Sequence, residues 1–238
     1  MEEMTSKEQY DLAMDYYNGT NDCEKDLEAA FYWFAGAAGL GDLNAEVQIG
    51  HMLASGEGTE QDLEEAALCY FVAADLGHEE AKKEFESVKE YLDLDSVEIQ
   101  NKLGYSYYFR HKTEKSIYWF TKASEQGDGN ALFMIGQIYR LTDIEKALDY
   151  YHKAYEKGSE DAAYYLGNAY EKGEGVEVDY AKALKYYTFA AEKSCPPALA
   201  CLASMYEEGR GTEKNPKLAQ FYRHIFKIIE DKELNGYY

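Results

Sequence analysis

Apolar residues return along the chain at helical spacing in two alternating patterns. In the first, an apolar residue precedes Gly or Ala, and Tyr follows three positions after the small residue. Leu103-Gly104 with Tyr107, Ile135-Gly136 with Tyr139, Leu166-Gly167 with Tyr170 and Leu202-Ala203 with Tyr206 are the clear copies. Ile49-Gly50 carries Leu53 in the Tyr place, and Ala13-Met14 with Tyr17 is a worn copy. The second pattern is an aromatic-rich segment ending in Gly: AAFYWFAGAAGLG, AALCYFVAADLG, SIYWFTKASEQG and ALDYYHKAYEKG, with ALKYYTFAAEKS ending in Ser194 instead. The small residues of the first pattern step by 32, 31 and 36 positions from Gly104 to Ala203, and by 36 from position 14 to Gly50. Two helices and two turns fill such a period. The pattern therefore predicts helix pairs, with the first motif on a helix A and the second on a helix B.

The residue types fit tight packing. Gly or Ala on helix A lets a neighbouring helix come close, and the Tyr three positions on shares that face. Ala37, Ala73, Ala123, Ala154 and Ala190 occupy one position of helix B, where a small side chain suits contact with the next helix A; Phe226 stands there in the last repeat. Gly41, Gly77, Gly127 and Gly158 read as left-handed caps. Asn215-Pro216 reads as N-cap and first turn of the last helix B. Three repeats join A to B by long loops, ASGEGTEQD, EKGEGVEVD and EEGRGTEKN, and two by the shorter FRHKTEK and RLTDIEK. The Gly-x-Gly in the long loops lies between helices and lacks the GK[ST] of a phosphate loop, so it predicts turns of positive φ.

The array is interrupted between Gly50 and Gly104, where an excess of 18–23 residues holds one further helix, HEEAKKEFESVKEYL, with DLDS at 93–96 as connector and N-cap. That helix is either a repeat that kept A and lost B, or a linker between two lobes. Charge changes at the same place. The chain carries 45 acidic and 24 basic residues, net −21, but residues 1–100 hold 25 and 5 of them. The acidic end either faces a basic partner or is a solvated face that aids solubility. The overall sign disfavours nucleic-acid binding.

Only 3 of 238 residues are Pro, which suits long helices. No stretch reaches the roughly 20 apolar residues of a membrane span. The N-terminus MEEMTSKEQYDLAMDYY lacks a signal's basic and apolar regions. Cys23, Cys69, Cys195 and Cys201 match no zinc spacing, and Cys195 and Cys201 are about 9 Å of helical rise apart, too far for a disulfide. A cytoplasmic protein with free thiols is expected, or a secreted one if a leader is missing. His51, His78, His111, His152 and His224 are scattered, and no catalytic set is visible. No cofactor, metal or enzymatic activity is expected.

The stretch 162–191, with Ala162, Leu166, Gly167, Tyr170, Gly173, Gly175, Val176, Asp179, Lys182, Ala183, Tyr186, Tyr187, Ala190 and Ala191, is similar to the Sel-one-like repeat, a relative of the tetratricopeptide repeat. Six copies cover nearly the whole chain. The resemblance implies an all-α, right-handed α-α superhelical solenoid of about six helix pairs plus one extra helix. It forms one domain with sub-lobes 1–77, 78–95 and 96–238. The resemblance also implies a protein–protein adaptor, monomeric or weakly dimeric, whose A helices line a concave groove for a peptide or partner loop. Positions −3, +1 and +4 from the small residue then face the groove: Asn101, Tyr105 and Tyr108; Phe133, Gln137 and Arg140; Tyr164, Asn168 and Glu171. Repeats one and two offer Asp11, Asp15 and Asn18, and Val47, His51 and Ala54. These aromatics and amides suit an extended peptide, unless they simply pack between neighbouring A helices. Some tetratricopeptide proteins grip a C-terminal carboxylate; with Arg140 the lone strong cation on the strip, no such clamp is expected. The alternative function is a regulatory subunit or inhibitor that docks a basic partner through the acidic lobe. The last helix, with Phe221, Ile225, Ile228 and Ile229, either caps the stack or exposes a stripe for dimerisation, and the tail 233–238 is expected to fray.

Overall fold

The computed structural model describes residues 4–235, which form thirteen α-helices and one 3-10 turn. The pairs are α1 (Ser6–Asn18) with α2 (Leu27–Gly39), α3 (Leu43–Ser55) with α4 (Leu63–Asp75), α6 (Val97–Phe109) with α7 (Thr113–Glu125), α8 (Gly129–Tyr139) with α9 (Ile144–Glu156), α10 (Glu160–Lys172) with α11 (Tyr180–Glu192), and α12 (Pro196–Glu208) with α13 (Pro216–Asn235). The unpaired α5 (Glu79–Val88) continues into the 3-10 turn Lys89–Tyr91. The chain divides into two compact units, the N-terminal one ending at Trp119 and the C-terminal one starting at Phe120.

Side-chain caps start most helices. Asp26, Asp62, Asp143, Asp179 and Asn215 each accept a hydrogen bond from the backbone N–H three residues on, at 2.9–3.1 Å, and so open a B helix. Part of the acidic excess is therefore structural. B helices end on left-handed Gly41, Gly77, Gly127 and Gly158, at φ +91° to +102°; Ser194 takes the same place at φ +65°. The paired glycines of the long loops all have positive φ. The second of each pair also lies against the preceding B helix. A Cβ on Gly58 would stand 2.4 Å from the Leu27 carbonyl oxygen, and one on Gly211 2.3 Å from that of Tyr180.

The A–B seam explains the small residue of the first motif. A Cβ on Gly50, Gly136 or Gly167 would stand 2.5, 2.6 or 2.7 Å from the ring of Tyr70, Tyr151 or Tyr187 on the paired B helix. The five aligned alanines of the B helices are all fully buried. In the C-terminal unit the motif's Tyr stacks face to face on a B-helix Tyr. Tyr139 pairs with Tyr150, Tyr170 with Tyr186 and Tyr206 with Tyr222, at 5.7–6.0 Å and 10–13°. In the N-terminal unit the equivalent Tyr107 is buried and its hydroxyl donates to Asp75, which also pairs with Lys115 at 2.6 Å.

The break has a physical description. His78 opens α5 at φ −77°, ψ 113°, with its Nδ1 accepting from Ala81 N–H. Asp42 and Asp128 open A helices at nearly the same angles. Ala81 is buried like Ala45 and Ala131 at the matching places. Phe85 meets Phe71 of α4 edge to face at 5.4 Å. Where A helices carry Gly, however, α5 carries the exposed Glu86, bonded to Lys89. α5 thus opens like an A helix and buries its alanine like one, but lacks the small residue that seats a B-helix tyrosine.

In the last pair Ala219 is buried, while Phe221 and Ile228 are exposed. The helix runs through residues 233–235 of the expected frayed tail; residues 236–238 lie outside the described residues.

Candidate binding surface

The A helices place the candidate groove residues differently in the two units. On α6 of the N-terminal unit, Tyr105 and Tyr108 are exposed and Asn101 is half-buried. Tyr105 stacks on Phe109 at 6.5 Å, and Tyr108 meets that ring edge-on at 5.5 Å. Phe109, 68% exposed, was not among the sequence candidates although it completes the cluster. On the earlier A helices Val47 is buried, His51 tilts against Tyr70 at 5.6 Å, and Asp15 accepts from Thr20 and Asn21.

In the C-terminal unit three candidates meet. Arg140 at the end of α8, and Tyr164 and Asn168 on α10, line one cleft of about 220 Å³ together with Tyr151, Tyr165 and Lys172. Burial pushes the Tyr164 phenol up, and the neighbouring Asn168 pulls it partly back. Phe133 is half-buried against Tyr151 and Tyr165, at 5.8 and 5.5 Å, and supports the cleft from within. Gln137 is half-buried on α8. Glu171 lies apart: its carboxylate accepts from Tyr187 at 2.6 Å and pairs with Arg210. Tyr165 and Lys172 escaped the sequence reading because a rule of three fixed positions skips −2 and +5. Both fall on the same arc of α10 once the helix is drawn at 100° per residue.

A second buried charge pair lies in the N-terminal unit. Glu46 of α3 meets Arg110 at the end of α6, with side chains 10% and 13% exposed. Arg110 also donates to Ser106 at 2.7 Å. Burial holds the Glu46 carboxyl above its usual range, while Arg110 and the Cys69 thiol pull it back down. The neighbouring Cys69 thiol is pushed well up by burial.

A family model described as the Sel1 repeat matches residues 9–42, 43–78, 98–128, 130–159, 160–195 and 196–222. The chain belongs to the Sel1 repeat family. The six matches fall on the six helix pairs, the last ending within α13 at residue 222, and the internal stretch left unmatched, 79–97, is α5 with its connector. Among solved structures, the Sel1 repeat protein from Oxalobacter formigenes is 24% identical, over 93% of this chain and 85% of that one, with a TM-score of 0.54. The protective antigen c5321 of uropathogenic Escherichia coli, which displays the same repeat fold, is 23% identical over 95% of this chain and 65% of that one, at 0.45. Immunity protein Pa5087 from Pseudomonas aeruginosa is 20% identical over 94% and 82%, at 0.42. The Sel1 repeat is generally a protein-interaction scaffold and typically non-catalytic. Among the described residues no helix is long and apolar enough to cross a membrane, and no three His, Cys, Asp or Glu side chains gather to hold a metal ion. All four cysteines of this Sel1 chain are free.

Proposed function

We propose that this Sel1 repeat chain is a non-catalytic adaptor that binds an extended peptide or partner loop on the exposed faces of its A helices, in a reducing compartment. The observation that carries the reading is the meeting of Arg140, Tyr164 and Asn168 around one cleft in the C-terminal unit. Tyrosine rings supply rigid apolar area with a polar tip, and the amide pairs with a peptide's backbone groups. The exposed Tyr105, Tyr108 and Phe109 of α6 offer a second aromatic patch in the N-terminal unit.

The test is partner capture from the native organism by the full chain and by a variant carrying Tyr105→Ala, Gln137→Ala and Asn168→Ala. Retained helical circular dichroism with at least tenfold weaker capture is expected, using ~1.4 kcal/mol per tenfold. Undiminished capture contradicts the reading. A second reading, a regulatory subunit or inhibitor docking a basic partner, draws support from the net −20 of residues 1–100. Steered binding of that kind weakens steeply with ionic strength, whereas an aromatic surface does so only slightly.

A further inference from the structure

The cleft of the C-terminal unit carries charge that the packing leaves unused. Arg140 and Lys172 are both exposed at its rim. The Arg140 guanidinium lies 5.6 Å from the centre of the Tyr165 ring, and among the described residues neither cation is ion-paired. Elsewhere in the same unit Lys153, Lys182, Arg210 and Arg223 each meet a carboxylate. Glu174 is the one acidic residue on the wall, so two cations face one anion in a chain of net −21.

The lining is mixed: Ile144, Leu148 and the rings of Tyr151 and Tyr165 give apolar surface, and Asn168 and Tyr164 give polar groups beside it. At about 220 Å³ the space is smaller than the roughly 300–1,000 Å³ of pockets that enclose small-molecule ligands. It has the size for a side chain. Two cations at the rim beside the Ile144, Leu148 and Tyr165 side chains match a group with methylenes and a terminal carboxylate.

We propose that this cleft takes an Asp or Glu side chain of an extended partner peptide, its carboxylate held by Arg140 and Lys172 and its methylenes against Tyr165. The proposal rests on the A-helix reading above and adds the chemistry of the residue recognised. The guanidinium offers a planar fork that fits a carboxylate with two parallel hydrogen bonds, so Lys in its place keeps the charge but loses the fit.

The test uses the full chain and pools of short peptides, acetylated and amidated so that no terminal charge contributes. One position is fixed as Asp, Glu, Asn, Gln or Lys. The Asp and Glu pools should bind more strongly than the Asn and Gln pools. Arg140→Gln and Lys172→Gln should each weaken the best acidic peptide about tenfold, a low-end value for a charged hydrogen bond at an exposed site. Arg140→Lys should fall between, and the Gln counterpart of the peptide should bind all variants alike. Circular dichroism checks that the variants remain helical.

Peptide binding without acid preference, or an acid preference that Arg140→Gln leaves unmoved, overturns this proposal and leaves the A-helix reading standing. No binding by any pool overturns both. A wild-type dimer that Arg140→Gln splits assigns the cleft to a second copy of the chain and also overturns the proposal.

Discussion

The two units seat the tyrosine of the first motif against different neighbours. In the C-terminal unit three successive pairs stack tyrosine on tyrosine. Lys146 and Lys182 lie over those rings at 3.9 and 4.8 Å. In the N-terminal unit Tyr107 of α6 turns its buried hydroxyl to Asp75 at the end of α4, in the preceding pair, with Lys115 beside it, and Arg110 reaches Glu46 in the interior. Offset parallel rings gain from buried area and from the offset that keeps their negative faces apart, and tolerate changes of pH and salt. A buried charge pair depends on both partners being present, because the desolvation cost of each is offset only by the other. The C-terminal unit holds a like pair, Glu171 with Arg210, but its side chains are 15% and 29% exposed; the deeper Glu46–Arg110 pair makes the N-terminal unit the more fragile.

That contrast is broken most severely at Arg110. Arg110→Met should cost about 3–5 kcal/mol, measured by urea denaturation, because it leaves Glu46 charged and unpaired in the interior. Without Arg110 the raised Glu46 carboxyl moves up further, and the folded protein then holds that proton more tightly than the unfolded chain. The loss is full at neutral pH and shrinks as pH falls through the raised value. Glu46→Gln added to Arg110→Met should recover most of it.

The next largest effect lies in the tyrosine unit. Gly167→Ala places a Cβ 2.7 Å from the Tyr187 ring and should cost about 1–3 kcal/mol. Adding Tyr187→Leu should make the two changes non-additive in a thermal or urea double-mutant cycle, since the clash is with that ring. Ser194→Gly, at φ +65° where the other repeats carry glycine, should gain about 1 kcal/mol. The smallest effect is expected in the unpaired helix. Glu86→Ala falls at the place equivalent to Gly167, but no ring faces it, so its stability change should stay within about 0.5 kcal/mol. A loss as large as that of Gly167→Ala would place a packing partner against the Glu86 face of α5.

Much of this was legible in the chain itself. The spacing of Gly104, Gly136, Gly167 and Ala203 yields the helix pairs, and Gly41, Gly77, Gly127 and Gly158 mark the turns, because both depend on local chemistry. The aspartate caps Asp26, Asp62 and Asp143 stand at the place of the motif residue Asp179, so they too are legible in the repeat. What the sequence could not supply was which distant residues meet. Glu46 and Arg110 are 64 positions apart and nothing in their neighbours pairs them. Glu171 has the spacing of a surface residue, yet its carboxylate is taken by Tyr187 and Arg210. Tyr165 and Lys172 joined the cleft only when the arc of α10 and the position of Arg140 were both known.

Hydrogen exchange of the full chain, with and without a saturating short peptide selected from the pools, tests the binding surface most directly. Slowed exchange confined to segments carrying α8 and α10, in the wild type and not in Arg140→Gln, is the expected result. Protection falling instead on residues 1–100, or no protection at any peptide concentration that saturates binding, would contradict it.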